Sequence, residues 1–395
     1  LNFSPSLMSL RHRSKNDWGR LDMTSELSSL CSYAKGKVSV DTLSKRNYVS
    51  TENMMPNKGG IVDAGALPSA QYTQQYIKDD ILVSNIRPYF KKIWMADDDG
   101  GCSNDVLVFR ADRGCDSTFL YYILANDAFF NYASATSKGT KMPRGDKTAI
   151  MQYKVPCFNY ETQLRIGKLL RSIDDRIAVN KKINDNLQQQ AAAFFSSLYD
   201  RSNTEVRFTD LIQILGGGTP KTGENTYWNG NIAFFTPKDV GTPYTLITEK
   251  TISKEGLSHC NSRLYPVNTV FVTARGTVGK VGMSGVPMAM NQSCYALVGK
   301  ETHQLLVYFY TLKAVDRLKH KASGAVFDAI TTRDFESEQI MKLSDDDATA
   351  FLCVAEPMFQ EILNNNIENL RLSTLRDSLL PKLMSGEIDV STVQL

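Results

Sequence analysis

The chain has 395 residues, 42% of them hydrophobic and 22% charged, enough to bury a core and long enough for two or three domains. A formal charge of +3 permits a nucleic-acid partner without establishing one, because phosphate contact needs a local cluster of Lys and Arg. The seven cysteines form no CxxC pair or regular spacing, so they offer neither a zinc site nor a disulfide framework, and no apolar run approaches the roughly 20 residues that span a bilayer. These properties lead to the expectation of a soluble cytoplasmic protein without membrane contact.

In chain order, residues 1–22 are polar and basic, and are expected to form a disordered extension before a better-patterned segment. Residues 23–158 are rich in Tyr, Phe, Val and Thr with frequent Gly and Pro, a pattern of short strands and turns with occasional helix. Within them, 79–93 reads as a β-rich run, an Arg, a turn and a Lys-containing strand, and 117–140 as an apolar helix leading into a Ser/Gly turn. A long helix is predicted over 159–202, where Ile166, Leu170, Ile173, Ile177, Asn180, Asn184, Leu187, Ala191, Phe194 and Leu198 alternate fours and threes, the heptad seam of a coiled coil. At 1.5 Å per residue such a helix extends about 60 Å, too long to pack wholly inside a small domain.

The pattern then repeats. Residues 203–343 form a second mixed segment, in which 267–281 echoes 79–93 and 303–326 echoes 117–140. A second long helix is predicted over 344–390, with an apolar face that includes Leu352, Phe359, Ile362, Leu363, Ile367, Leu370 and Leu375, and a five-residue tail follows at 391–395. A period of roughly 190 residues is too long for a solenoid unit and indicates duplicated domains. Polar centres at Asn180 and Asn184 in one helix and at Asn364, Asn365 and Asn366 in the other meet if the helices run antiparallel, and buried Asn pairs fix register. Ile173, Ile177, Asn180, Leu187 and Phe194 are therefore expected to face Ile362, Asn366 and Leu370. The alternative is that each helix merely covers its own domain. The expected fold is α+β: two mixed α/β domains separated by two long helices that form an antiparallel coiled coil.

The sharpest motif, LGGGTPKTGENTYWNGNIAFFTPKDV, spans 215–240. It is not a phosphate loop: Gly218 and Gly223 have the spacing, but Glu224 and Asn225 occupy the places of the Lys and the Ser/Thr. A GGTP-x-T stretch followed by YW-x-G-x-I and TP-K-D resembles the entry to a target-recognition domain of Type I restriction-modification specificity subunits. ARG-x-VGK-x-G at 274–282, NQS-C at 291–294 and LLPKLMSGEIDV at 379–390 resemble later landmarks of the same family. The first half departs from the pattern, with YAKGK at 33–37 where GGTP is expected.

The resemblance implies a subunit without catalysis that binds a bipartite double-stranded DNA target, one half-site per recognition domain. It also implies partners: methyltransferase (M) subunits that use S-adenosylmethionine, and an ATP- and Mg-dependent restriction/translocase (R) subunit, with no cofactor in this chain. The basic residues of loops supply the physical link to DNA, since Arg reads guanine, Asn or Gln reads adenine, and Lys neutralises phosphate. The candidates are Arg87, Lys91, Lys92, Lys138, Lys141, Arg144 and Lys147 in the first domain, and Thr219, Lys221, Lys238, Arg275, Lys280, Lys319, Lys321 and Arg333 in the second. Any one of these cations alone reads best as a solvated charge; the set at matched loops carries the inference.

Catalytic signals are weak. Asp97 to Asp99 lack the spacing of a calcium loop, the four histidines form no close metal pair, and no motif for amino methylation is present. Neither catalytic residues nor metal ligands are expected. The rival readings are a self-contained DNA methyltransferase or nuclease with an unrecognised active site, and a coiled-coil scaffold without sequence-specific DNA binding.

Overall fold

The computed structural model describes residues 24–241, 243–321 and 329–392. The expected extension at 1–22, the Ser/Gly turn after residue 321 and the last three residues of the tail lie outside the described residues. The chain divides into two compact units, one made of the residues up to Arg176 together with those from Leu372 onward, the other of Ile177–Arg371. Each boundary falls inside a long helix.

The first unit carries strands β1 (Thr24–Glu26), β2 (Cys31–Tyr33), β3 (Lys37–Ser39), β4 (Tyr48–Val49), β5 (Tyr72–Tyr76), β6 (Ile81–Ser84), β7 (Ile93–Met95), β8 (Gly100–Cys102), β9 (Val106–Ala111) and β10 (Lys154–Pro156). Its helices are α1 (Ser117–Ala125), α2 (Asp127–Ala135), α3 (Lys147–Met151) and the start of α4 (Tyr160–Tyr199). Two four-stranded sheets, β2-β9-β6-β7 and β3-β5-β8-β4, stack in layers, and β1 pairs with β10. The layering follows from the two-residue period of strands. Ile81 and Val83 of β6 and Leu107 and Phe109 of β9 turn toward α1, α2, Ile166 and Leu170 of α4. Leu82, Val106 and Val108 turn the other way, onto Val49, Tyr76 and Cys102 of the second sheet.

The second unit repeats the plan. Its elements are β11 (Thr204–Arg207), α5 (Phe208–Leu211), β12 (Ile212–Gly216), β13 (Trp228–Phe235), β14 (Tyr244–Thr245), β15 (Lys250–Ile252), α6 (Lys254–Ser258), β16 (Val270–Thr273), β17 (Val281–Ser284), β18 (Met288–Met290), β19 (Cys294–Gly299), α7 (Gln304–Lys321), α8 (Thr332–Ser337), β20 (Gln339–Lys342) and α9 (Asp345–Met384). The central sheet, β12-β19-β16-β17-β14, matches β2-β9-β6-β7 with one strand added. Val270 and Val272 pack toward α7, while Phe271 between them packs on Phe235, Met288 and Met290. The 79–93 and 267–281 segments are the same hairpin: β6 pairs antiparallel with β7, and β16 with β17.

Both long helices form, each of 40 residues, and within each unit their segments run antiparallel. In the second unit Asn184 Nδ2 donates to Asn366 Oδ1 at 2.9 Å, Asn365 Nδ2 donates to Asn184 Oδ1 at 2.9 Å, and Asn180 Nδ2 donates to Glu368 at 2.8 Å and Asn369 at 3.0 Å. Ile362 is fully buried beside this polar layer, and Leu187 packs against the same core. In the first unit Arg376 meets Asp174 at 2.6 Å, Ile173 is buried, and Ile166 and Leu170 share a core with Leu380 and Leu383. Ile177 and Leu370 are half-buried.

Three details differ from the seam. Phe194 is half-buried and its ring meets Phe351 of α9 at 6.0 Å, but Phe195 beside it is the fully buried one, because this part of α4 packs on α7 as well as α9; the Phe195 ring stacks on Phe309 with centroids 4.9 Å apart. Phe351 rather than Leu352 is the buried residue of that turn of α9, and Leu375 is exposed, since the first unit covers α9 there on the side of Arg376, Leu379 and Leu380. Among the described residues no helix is long and apolar enough to cross a membrane.

Candidate nucleic-acid interface

Four loops meet at one edge of the sheets in each unit, joined by the same hydrogen bonds. In the first, Ser103 N after β8 donates to Val49 O at the end of β4 at 2.9 Å, Asn85 N donates to Asp105 O at 2.8 Å, and Gly145 N before α3 donates to Asn85 O at 3.1 Å. In the second, Asn291 N donates to Phe235 O at 3.0 Å, Ala274 N to Ser293 O at 2.8 Å, and Ile330 N before α8 to Ala274 O at 2.9 Å. The bonds superpose the repeats residue by residue: Ser103 on Asn291, Asn85 on Ala274, Gly145 on Ile330.

The correspondence identifies what stands in the first unit for the TPKD turn. Thr236 N donates to Asp239 Oδ2 at 2.8 Å, closing a tight turn at the end of β13. At the end of β4, Ser50 N donates to Asn53 Oδ1 at 2.6 Å, so residues 50–53 are the equivalent turn. In both, a side-chain oxygen at the fourth position accepts from the N–H of the first, so STEN and TPKD close in the same way without sharing a motif.

The Gly-rich loop of the second unit lies on the turn after β18. A Cβ on Gly217 would sit 2.3 Å from Asn291 O, and one on Gly218 2.6 Å from Asn261 N, so both positions require glycine for close backbone approach. The loop then delivers the Thr219 hydroxyl to the side-chain oxygen of Gln292. Trp228 Nε1 donates to Lys221 O at 3.1 Å and holds the following residues. In the first unit the place after β2 is taken by residues 34–36, where the chain turns into β3 through Gly36 at φ +134°.

Arg87 and Lys91 both adopt left-handed backbone at the hairpin turn, with φ of 50° and 53°. Arg87 N is tied to Pro143 O at 2.8 Å, and its Nε and the Asn85 Oδ1 are buried without a hydrogen-bond partner among the described residues. Several candidates have partners inside the fold. Lys91 pairs with Asp127 at 2.9 Å and Lys92 Nζ donates to Thr51 O at 2.6 Å. Lys138 pairs with Asp146 at 2.6 Å, Arg144 with Asp105 at 3.0 Å and Lys238 with Glu249 at 3.5 Å. Lys321 meets the buried Glu338 at 2.5 Å. Hydrogen bonds from Lys91 and Lys58 hold the Asp127 carboxyl below its ordinary range, as Lys138 does first for Asp146.

Lys141, Lys147, Lys221, Arg275, Lys280, Lys319 and Arg333 are exposed and have no ion pair among the described residues. Arg275 and Lys280 flank the second hairpin turn, and the Lys319 stem lies against Gly279 of that turn. Lys147 opens α3 and Arg333 lies in the first turn of the equivalent α8. Arg275, Lys280 and Lys319 thus stand at the second hairpin turn, and Lys147 and Arg333 at the starts of matched helices. Sequence reasoning missed the 50–53 turn and the ion pairs, whose partners are remote in sequence.

The family model for the Type I restriction modification DNA specificity domain matches the chain twice, over residues 23–189 and 201–342. The chain belongs to this family. It is 23% identical to the HindI Type I restriction enzyme specificity subunit of Haemophilus influenzae, over 86% of this chain and 94% of that one. It is 29% identical to the EcoR124I/EcoR124II specificity subunit of Escherichia coli, over 40% of this chain and 42% of that one. The crystal structure of a Type I restriction-modification S subunit from M. genitalium shares the fold, with a TM-score of 0.62 at 14% identity over 94% of this chain and 98% of that one. As a member of the specificity family, the chain is a DNA target-recognition subunit, and its role in the system is non-catalytic. The first match takes in β1 to β10 and runs into α4, and the second takes in β11 to β20.

Proposed function

We propose that the chain reads a bipartite double-stranded DNA sequence, with one half-site per recognition domain, at 23–158 and 203–343, and with the helices at 159–202 and 344–390 setting the distance between them. The observation that carries this reading is the repetition of one four-loop edge, with the same hydrogen bonds, in both units. Each long helix has 40 residues, about 60 Å, roughly one and three-quarter turns of B-DNA.

The DNA-facing cations are Arg87, Lys141, Arg144 and Lys147 in the first domain, and Lys221, Lys238, Arg275, Lys280, Lys319 and Arg333 in the second. Lys91, Lys92, Lys138 and Lys321 contribute by holding the loops through their internal partners, with any phosphate contact secondary. Adenine methylation then belongs to M subunits that bind S-adenosylmethionine and dock on the helices, and cleavage to an ATP- and Mg-dependent R subunit; the complex works in the cytoplasm.

Mapping N6-methyladenine in DNA from cells that carry this chain with its methyltransferase tests the reading. A split, asymmetric motif is expected, and replacing Lys221, Lys238 and Arg275 together relaxes one half only. A continuous motif, or an unchanged one in the triple variant, would overturn it.

A further inference from the structure

In both units two consecutive strands of different sheets, β8 and β9 or β18 and β19, are joined by a β-turn with a carboxamide at its second position. Val106 N donates to Ser103 O at 3.0 Å, with Asn104 between, and Cys294 N to Asn291 O at 3.4 Å, with Gln292 between. Asn104 and Gln292 are exposed, and they fall on the same position when the repeats are superposed by the bonds of Ser103 and Asn291. The residue after each is tied to an arginine: the Asp105 carboxylate pairs with Arg144, and Ser293 O accepts from the backbone N of Arg275.

We propose that Gln292 and Asn104 are base-reading residues, each recognising an adenine through its N6 and N7 in the major groove; this rests on the DNA-reading function above. A carboxamide is the side chain whose acceptor and donor match adenine N6–H and N7 as a bidentate pair. Its placement on a β-turn gives it a stiff base.

Thr219 adds a second layer in the second unit. Its hydroxyl donates to the Gln292 side-chain oxygen, which fixes the amide plane and leaves the nitrogen's two protons outward. One lone pair of that oxygen stays available for adenine N6. Gly217 and Gly218 make the approach possible, since a side chain there would strike Asn291 O or Asn261 N. Thr219 is thus a positioning residue, and the glycines exist to bring it within reach. Asn104 has no such hydroxyl, because the first unit turns into β3 at that place. The second domain's reader is pre-oriented and the first's is not.

The test maps N6-methyladenine in cells carrying the chain and its methyltransferase, for the unaltered chain, Gln292→Ala, Thr219→Val, Thr219→Ser and Asn104→Ala. Gln292→Ala is expected to lower the preference for an A·T pair at one position of one half-site by about 10-fold or more, other positions being kept. Thr219→Val relaxes that same position less, Thr219→Ser retains it, and Asn104→Ala relaxes one A·T position in the other half. Unchanged motifs, uniform loss of methylation at all sites, or relaxation at a G·C position would overturn the assignment. The absence of any split motif with the unaltered chain would instead defeat the DNA-reading function itself.

Discussion

Arg110 grips Asp80 with both arms of its guanidinium, Nε to Oδ1 at 2.7 Å and a terminal nitrogen to Oδ2 at 2.6 Å. Asp80 is 1% exposed and also accepts from Ile77 N at 2.8 Å, so the pair ties β9 to the turn that launches the first hairpin. Removing one partner leaves a charged group without compensation. Asp80→Ala is expected to lower unfolding stability by about 3 kcal/mol, tempered by the partial exposure of Arg110, and Asp80→Asn by less. Denaturant unfolding of the purified chain checks both, and wild-type midpoints would refute the role.

The asparagine layer of the second unit makes a different forecast. Asn184→Leu strands the buried Nδ2 of Asn365, which is 4% exposed, at a cost of about 1–3 kcal/mol. Adding Asn365→Leu removes the stranded donor, and the double variant is expected to regain most of that loss. A double-mutant cycle by urea unfolding measures the coupling; additive single effects would show that the two amides do not act as a pair.

Within the glycine-rich motif Gly216, Gly217, Gly218 and Gly223 should not respond alike. Alanine at Gly217 or Gly218 collides with backbone, whereas Gly216 and Gly223 have open space around the added carbon. Gly217→Ala and Gly218→Ala are expected to cost about 1–3 kcal/mol and to disturb readout of one half-site, while Gly223→Ala leaves both near wild type. Thermal melting and the methylation map together decide this.

Thiols give a pH dependence whose sign is fixed by burial. Cys102 and Cys294 lie in apolar cores, and burial pushes both thiols up from 9.0 to about 12. Because the folded pKa lies above the unfolded one, their stabilising contribution is whole below the unfolded value and is lost as pH rises through it toward the folded value. Stability should fall between about pH 9 and about pH 12, and less so for Cys102→Ala and Cys294→Ala, each measured against wild type at neutral pH. A thiol reagent should label the exposed Cys157 and Cys353 first.

What the linear chain determines by itself is whatever depends on local period and on repetition. The two long helices follow from apolar spacing and, at the start of α9, from three aspartates at the positive end, although α9 stops at Met384 rather than at 390. The doubled hairpin is legible for the same reason, since a two-residue alternation and an Arg-turn-Lys order recur in both halves. Recognition of the family rested largely on the 215–240 motif, in which Gly217 turns out to serve contact with the turn at Asn291 and Gly218 contact with Asn261.

Only the tertiary structure decided which of the loop residues are available. Lys91 and Lys321 read as free cations in sequence, yet their acids stand 36 and 17 positions away and reach them through the packing of α2 and β20. The equivalence of residues 50–53 with the TPKD turn, and of Asn104 with Gln292, was equally hidden. It depends on which carbonyl each amide meets across the sheets, a relation between strands distant in sequence that side-chain identity does not encode. Strand pairing in three dimensions, acting on backbone atoms common to all residues, aligned two halves whose side chains had diverged.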